Sequence, residues 1–201
     1  MAGASSVQSL DRAFDLLERL CYSHGGMTIG ALSAETGLHK STVHRLLSSM
    51  CARGYVQRDA ATSIYRASMR LCELSSSIVD NLDMVDIVRS PLEELGRQTE
   101  ETVHLAMQEG RDIVYIHKVE NGSGAIRMFS RIGMRRPLFC TGVGKAILAT
   151  WPDNEVQSVW QKSDVRPWTE HTIVDEWAFA REIEQVRSRG YALDDEENEL
   201  G

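Results

Sequence analysis

Residues 28–58 read TIGALSAETGLHKSTVHRLLSSMCARGYVQR. Two short amphipathic helices meet there at a turn built on Gly37, and the second ends at Gly54, just before the β-forming pair Tyr55-Val56. In the second helix Val43, Leu46, Leu47 and Met50 recur at i, i+3, i+4 and i+7, which makes one inward stripe. The opposite face carries Ser41, Thr42, His44, Arg45 and Ser48, hydrogen-bonding groups with one fixed charge and no acid. A face meant only for water normally mixes both signs. This one suits phosphates and base edges. Helix, turn, helix and then strand is the order in which a winged reader offers one helix to the major groove of DNA.

Upstream, residues 7–22 predict a helix with Leu10, Ala13, Phe14, Leu17, Leu20 and Cys21 on one face, closed by Gly25-Gly26. Thr28 is placed to cap the next helix, residues 29–36, by accepting an orphan backbone N–H. Gly37 then supplies the left-handed residue past its end. The third helix is expected over residues 40–53. Residues 55–58 and 63–66 flank Asp59-Ala-Ala-Thr62 as a hairpin wing bracketed by Arg58 and Arg66.

Downstream, residues 67–82 carry a helical pattern (Met69, Cys72, Leu74, Ile78, Val79, Leu82) with more apolar surface than a lone connector needs, which suggests packing on a second copy. Residues 85–98 predict a further helix with Ile87, Val88, Leu92 and Leu95 inside. The texture then changes to strands over 102–108, 112–119 and 125–131. Helices follow over 141–150, 152–162 and 174–189, the last with Trp177, Ile183 and Val186 inward, and a short strand over 191–193. After Leu193 come only DDEENELG. A sheet ending there would leave a long unpaired edge, so the chain reads as a fragment or truncated product with a damaged second domain.

The bulk composition bounds these expectations. With 201 residues and 42% hydrophobic content the chain can bury one large core or two small ones. Its apolar runs fall far short of the ~20 residues a membrane helix needs, and residues 1–12 lack the apolar segment of a secretion signal. Four scattered cysteines argue against zinc or a disulfide framework and fit the cytoplasm. The net charge of −7 is uneven: residues 1–67 carry +2 and residues 68–201 carry −9. DNA affinity is a property of the face that touches phosphate, so an acidic remainder held away from the duplex is no obstacle.

With these residues in view, the chain resembles the IclR family of bacterial transcription regulators. The segments that carry the resemblance are SVQSLDRAFDLLERL, LSAETGLHKSTVHRLLSSM, GYVQRD, SRIGMRRPLFCTGVGKAILAT and RGYALDDEENELG, in that order and over nearly the whole chain. IVYIHKVE and IRMFSRIGMRRPLF are most similar to the branch that controls catabolism of sugar acids. The resemblance implies an α+β architecture. Residues 1–67 would form a winged helix-turn-helix, 68–83 a helical linker for dimerisation, and 84–201 a GAF-like α/β effector domain lacking its last strands and helix. It further implies a pseudo-palindromic double-stranded operator, a small organic acid effector that shifts the spacing or assembly of the readers, and a homodimer or homotetramer. No membrane partner, cofactor, metal or catalytic residue is expected.

The DNA-contacting residues are then expected to be Ser41, Thr42, His44 and Arg45, with Thr28, His39 and Lys40 at the helix starts and Arg58 and Arg66 on the wing. Arg45 could read a guanine or hold a phosphate. Gly142-Val-Gly144-Lys145 resembles a phosphate loop, but Phe139 stands where such a loop needs glycine and Ala146 where it needs Ser/Thr. The family likeness instead makes Thr141, Gly142 and Val143 a helix start for an effector carboxylate, against the plain reading of a strand-to-helix turn. Met128 and Ser130 would line the same cavity from the sheet. Asp194 and Asp195 would accept ligand hydroxyls, although alternation lets only one of the two face it. Two rival readings are a small-molecule enzyme using Cys140 or His104, and a protein-interaction module over residues 1–82.

Overall fold

The computed structural model describes residues 7–81, 83–120 and 130–200. Met128 and the expected strand up to residue 129 lie outside them. The chain divides into two compact units, Met1–Asn81 and Leu82–Gly201.

In the first unit, helices α1 (Gln8–Tyr22), α2 (Ile29–Thr36) and α3 (Lys40–Ala52) precede a two-stranded wing, β1 (Val56–Arg58) and β2 (Tyr65–Ala67), and helix α4 (Arg70–Asp80). Local chemistry sets the breaks. The Thr28 hydroxyl accepts the Ala31 N–H at 3.2 Å and so caps α2. Gly37 ends it at φ 69°, a left-handed conformation that costs glycine nothing. The wing strands run antiparallel, Val56 opposite Ala67 and Arg58 opposite Tyr65. Backbone bonds in both directions between Met27 and Tyr65 (2.9 and 2.8 Å) tie the wing to the segment before α2. Leu16, Leu20, Leu32, Val43, Leu47, Val56 and Tyr65 form the core. Each such aliphatic side chain contributes about 1.5–3 kcal/mol by leaving water.

One apolar expectation is corrected here, and one helix start moves. Leu10 and Phe14 are 55% and 59% exposed, and Cys21 is also exposed, because Leu16 and Leu20 take the inner row of α1. In α4 no residue is buried: Leu74 and Ile78 stand outward, as does Met69 just before it, and the helix starts at Arg70 because β2 extends to Ala67.

The second unit comprises α5 (Asp83–Thr99), β3 (Val103–Glu109), β4 (Asp112–Val119), β5 (Arg135–Pro137), α6 (Gly142–Ala149), α7 (Asp153–Lys162) and α8 (Glu176–Arg189). The strands form one antiparallel sheet in the order β3-β4-β5, with a bulge at Leu105/Ala106. Helices α6, α7 and α8 share a core with it, built on Ile113, Leu138, Phe139, Leu148, Trp160, Phe179 and Ile183. Trp160 stacks on Phe179 with centroids 4.4 Å apart and meets Phe139 edge-on.

Further expectations change in this unit. Strand β5 was not anticipated; its two arginines hide a short ladder in which Arg135 lies opposite Val114 and Arg136 opposite Ile113. Residues 191–193 do not form a strand, since the Tyr191 carbonyl accepts Arg189 Nε at 2.7 Å and the guanidinium lies over the Tyr191 ring. In α5 the inward row is Val85, Val88, Leu92 and Gly96, leaving Ile87 and Leu95 outside. Trp177 is 68% exposed under Arg181, and Phe179 takes the inward place in α8. No helix among the described residues is long and apolar enough to cross a membrane.

Candidate functional site

The α3 surface is the first candidate. Val43, Leu47 and Met50 are buried and Leu46 packs against the same core, so the inner stripe is consumed by the fold. Ser41, His44, Arg45 and Ser48 are exposed and Thr42 half-buried at the edge of that face. Lys40 is exposed at the first turn. His39 caps the helix: its Nδ1 accepts the Ser41 N–H at 3.3 Å and lies 2.7 Å from Ser41 Oγ. No acidic side chain belongs to α3, and its first turn lies at the positive end of the helix dipole, with the Ser41 N–H taken by the His39 cap and those of Thr42 and Val43 by the His39 carbonyl.

The wing arginines are exposed but occupied. Arg58 donates to Ser63 Oγ at 3.1 Å and lies over the Tyr65 ring. Arg66 donates from Nε to the Gly25 carbonyl at 2.8 Å and pairs with Asp59 at 3.6 Å. Thr28 is exposed, its oxygen engaged as the α2 cap.

The second candidate gathers at the start of α6. Thr141 is buried and saturated, donating to the Pro137 carbonyl (3.0 Å) and accepting from the Gly144 N–H (3.1 Å). Its side chain therefore builds the turn, while the N–H groups of Gly142 and Val143 find no acceptor among the described residues. A Cβ on Gly142 would lie 3.3 Å from the Asp194 nitrogen, so the bare glycine lets this helix start approach the 193–194 backbone. Asp194 accepts the N–H groups of Glu197 and Asn198 through Oδ1 (3.0 and 3.1 Å). Burial nevertheless holds its carboxyl above the ordinary range.

Asp194 and Asp195 separate. Asp195 lines a different cavity of about 230 Å³ together with Lys145, His171, Glu182, Arg189 and Glu197. Lys145 is 1% exposed there, ion-paired to Glu197 and, at 3.3 Å, to Glu182, which also binds Arg189 at 2.7 Å. Glu197 Oε2 has no hydrogen-bond partner among the described residues, and burial raises the carboxyl's pKa despite the lysine. This network is absent from the expected site residues. Its signal was the single charge in the apolar run GVGKAILA, since a buried charge must be paired.

Ser130 is half-buried, and its hydroxyl lies 2.5 Å from His104 Nε2. The His104 ring packs against Tyr115 at 5.0 Å, and burial, followed by the charge of Lys118, depresses the imidazole pKa. Cys140 is fully buried and its thiol is pushed up to about 12, chiefly by burial and then by Asp194 and Glu197. Such a thiol stays protonated, so it is no nucleophile.

A helix-turn-helix followed by a two-stranded wing, with an acid-free outer face on its second helix, defines a winged-helix DNA-binding protein, here carrying a separate α/β unit. Comparison with known proteins narrows the class. Residues 9–60 match the IclR helix-turn-helix domain and residues 76–201 the bacterial transcriptional regulator IclR C-terminal domain. The HTH-type transcriptional regulator KdgR of Escherichia coli (strain K12) is 36% identical over 196 residues, spanning 98% of this chain and 74% of the relative. The Thermotoga maritima IclR crystal structure superposes with a TM-score of 0.75 at 32% identity, covering 98% of this chain and 78% of that one. An IclR homologue from Microbacterium hydrocarbonoxydans complexed with 4-hydroxybenzoate shares the fold, with a TM-score of 0.74 at 22% identity over 92% of this chain and 75% of that one. The chain belongs to the IclR family of bacterial transcriptional regulators. It is a DNA-binding transcription regulator and not an enzyme.

Proposed function

We propose that α3 is the recognition helix and that Ser41, Thr42, His44 and Arg45 meet base edges and backbone, with Thr28, His39 and Lys40 at the helix starts. The single observation that carries this reading is the acid-free outer face of α3 opposite an inner stripe packed into the core. Arg58 and Arg66 join as weaker contacts, since each is already bonded within its own domain. Residues 1–67 form the winged reader, 68–83 the linker and 84–201 the effector domain, working in the cytoplasm on a pseudo-palindromic operator. The chain acts as a homodimer or homotetramer, supported by the outward rows Val7, Leu10 and Phe14 on α1 and Leu74 and Ile78 on α4.

The effector is a sugar acid or a related small carboxylate received at the α6 start. The N–H groups of Gly142 and Val143, without an acceptor among the described residues, suit a carboxylate, and Asp194 beside Gly142 and the hydroxyl of Ser130 on the His104 side suit ligand hydroxyls. The complex of a family homologue with 4-hydroxybenzoate is in keeping with a small carboxylate. Binding acts on DNA through a difference in ligand affinity between two assemblies. An electrophoretic mobility shift on the protein's own promoter region at fixed salt tests the DNA face. The Thr42→Ala, Arg45→Ala double variant should lose binding while keeping its fold, and undiminished binding overturns the assignment.

A further inference from the structure

The cap on the recognition helix fixes more than the helix start. Two groups of Ser41 converge on His39 Nδ1, the backbone N–H at 3.3 Å and the hydroxyl oxygen at 2.7 Å. A backbone N–H can only donate, so Nδ1 carries no hydrogen and the ring proton resides on Nε2. The tautomer is thus assigned by the backbone. At 2.7 Å from a bare acceptor nitrogen, the Ser41 hydroxyl must also donate to it. Its one hydrogen is then committed inside the protein, and only its lone pairs remain for a partner.

An unconstrained serine serves equally as donor or acceptor toward a base. Ser41 does not have that freedom. In the major groove the hydrogen-bond donors are the exocyclic amino groups, adenine N6 and cytosine N4. We propose that Ser41, poled by His39, is a specificity-determining residue that reads one such amino group in each half-site, while His39 Nε2–H donates to a neighbouring phosphate. The proposal rests on α3 being the recognition helix. His39 is the positioning residue: it acts by orienting a hydroxyl hydrogen, and its carbonyl, which accepts the N–H groups of Thr42 (2.9 Å) and Val43 (3.1 Å), holds the turn in place.

The test uses the whole chain and duplexes selected by it from a random-sequence pool. Each adenine of the selected site is replaced by purine, and each cytosine by 2-pyrimidinone, which deletes single amino groups. One base pair per half-site should then lose about fivefold in wild-type affinity, the scale of one hydrogen bond, with no loss for Ser41→Ala. His39→Phe, lacking an acceptor, should accept guanine or thymine at that pair, whereas His39→Asn, whose amide oxygen still accepts, should keep the preference. Ser41→Ala responding like wild type to every amino deletion overturns the proposal, as does His39→Phe selecting the wild-type base there. If wild type enriches no sequence at all, it is the recognition-helix reading that fails. The base-deletion comparison needs only wild type and Ser41→Ala, so it stands even if His39→Phe unfolds.

Discussion

Lys145 illustrates how one residue constrains a whole neighbourhood. Its ammonium is 1% exposed and bound to two carboxylates, so replacing it by alanine strands buried Glu197 without a counter-ion and leaves Glu182 only Arg189. Lys145→Ala should cost about 3–5 kcal/mol in urea unfolding. The pH dependence carries a definite sign. Burial raises the Glu197 pKa above its ordinary 4.5, so the folded chain holds this proton where the unfolded chain has lost it. The associated stability is complete below that value and falls as pH climbs through the raised one. Glu197→Gln should therefore flatten the decline, read from unfolding midpoints between about pH 5 and about pH 8. His104, depressed by burial, works oppositely, adding stability above its ordinary 6.5 that is lost on acidification. Cys140, with its thiol near 12, should resist a disulfide reagent until the chain unfolds, while exposed Cys21 and Cys72 react at once.

Among the elements, α1 carries two apolar rows with different purposes. Leu16 and Leu20 enter the core, whereas Leu10 and Phe14, with Val7 at the N-cap, face outward at the three- and four-residue steps that suit the proposed helix-helix seam. Leu10→Glu with Phe14→Glu should halve the mass found by sedimentation and leave the unfolding midpoint of the unit nearly unchanged. A shifted midpoint with an intact oligomer contradicts the seam. The same helix shows what periodicity resolves. The helix-turn-helix was legible residue by residue, because Thr28, Gly37 and the Val43–Met50 stripe are local signals with local causes. Which of two apolar rows faces inward depends on neighbours remote in sequence, so α1, α5 and α8 each turned a residue (Phe14, Ile87, Trp177) opposite to expectation. Strand β5 escaped notice because arginines mask its three residues. Asp194 and Asp195 part ways although no strand alternates there, and the Lys145 cavity that Asp195 lines had no signal in their spacing.

For the molecule as a whole, the uneven charge governs how it meets DNA. The surplus of acid lies beyond residue 67, so on the proposed recognition face the approach to DNA depends on a few cations such as Lys40 and Arg45. Binding should fall steeply with salt, and Arg45→Ala should lower the slope of log affinity against log salt by about 0.9, the value for one phosphate contact. An unchanged slope with discrimination lost at one base pair would make Arg45 a base reader instead.

The grip of Arg66 on the Gly25 carbonyl and Asp59 has a consequence for how such a domain diversifies. A guanidinium that clamps a turn to a hairpin is a rivet, and rivets are chosen for fit rather than for address. On the proposed reading, the helix that names the promoter can be rewritten while the hairpin beside it varies only within the limits of mechanical soundness.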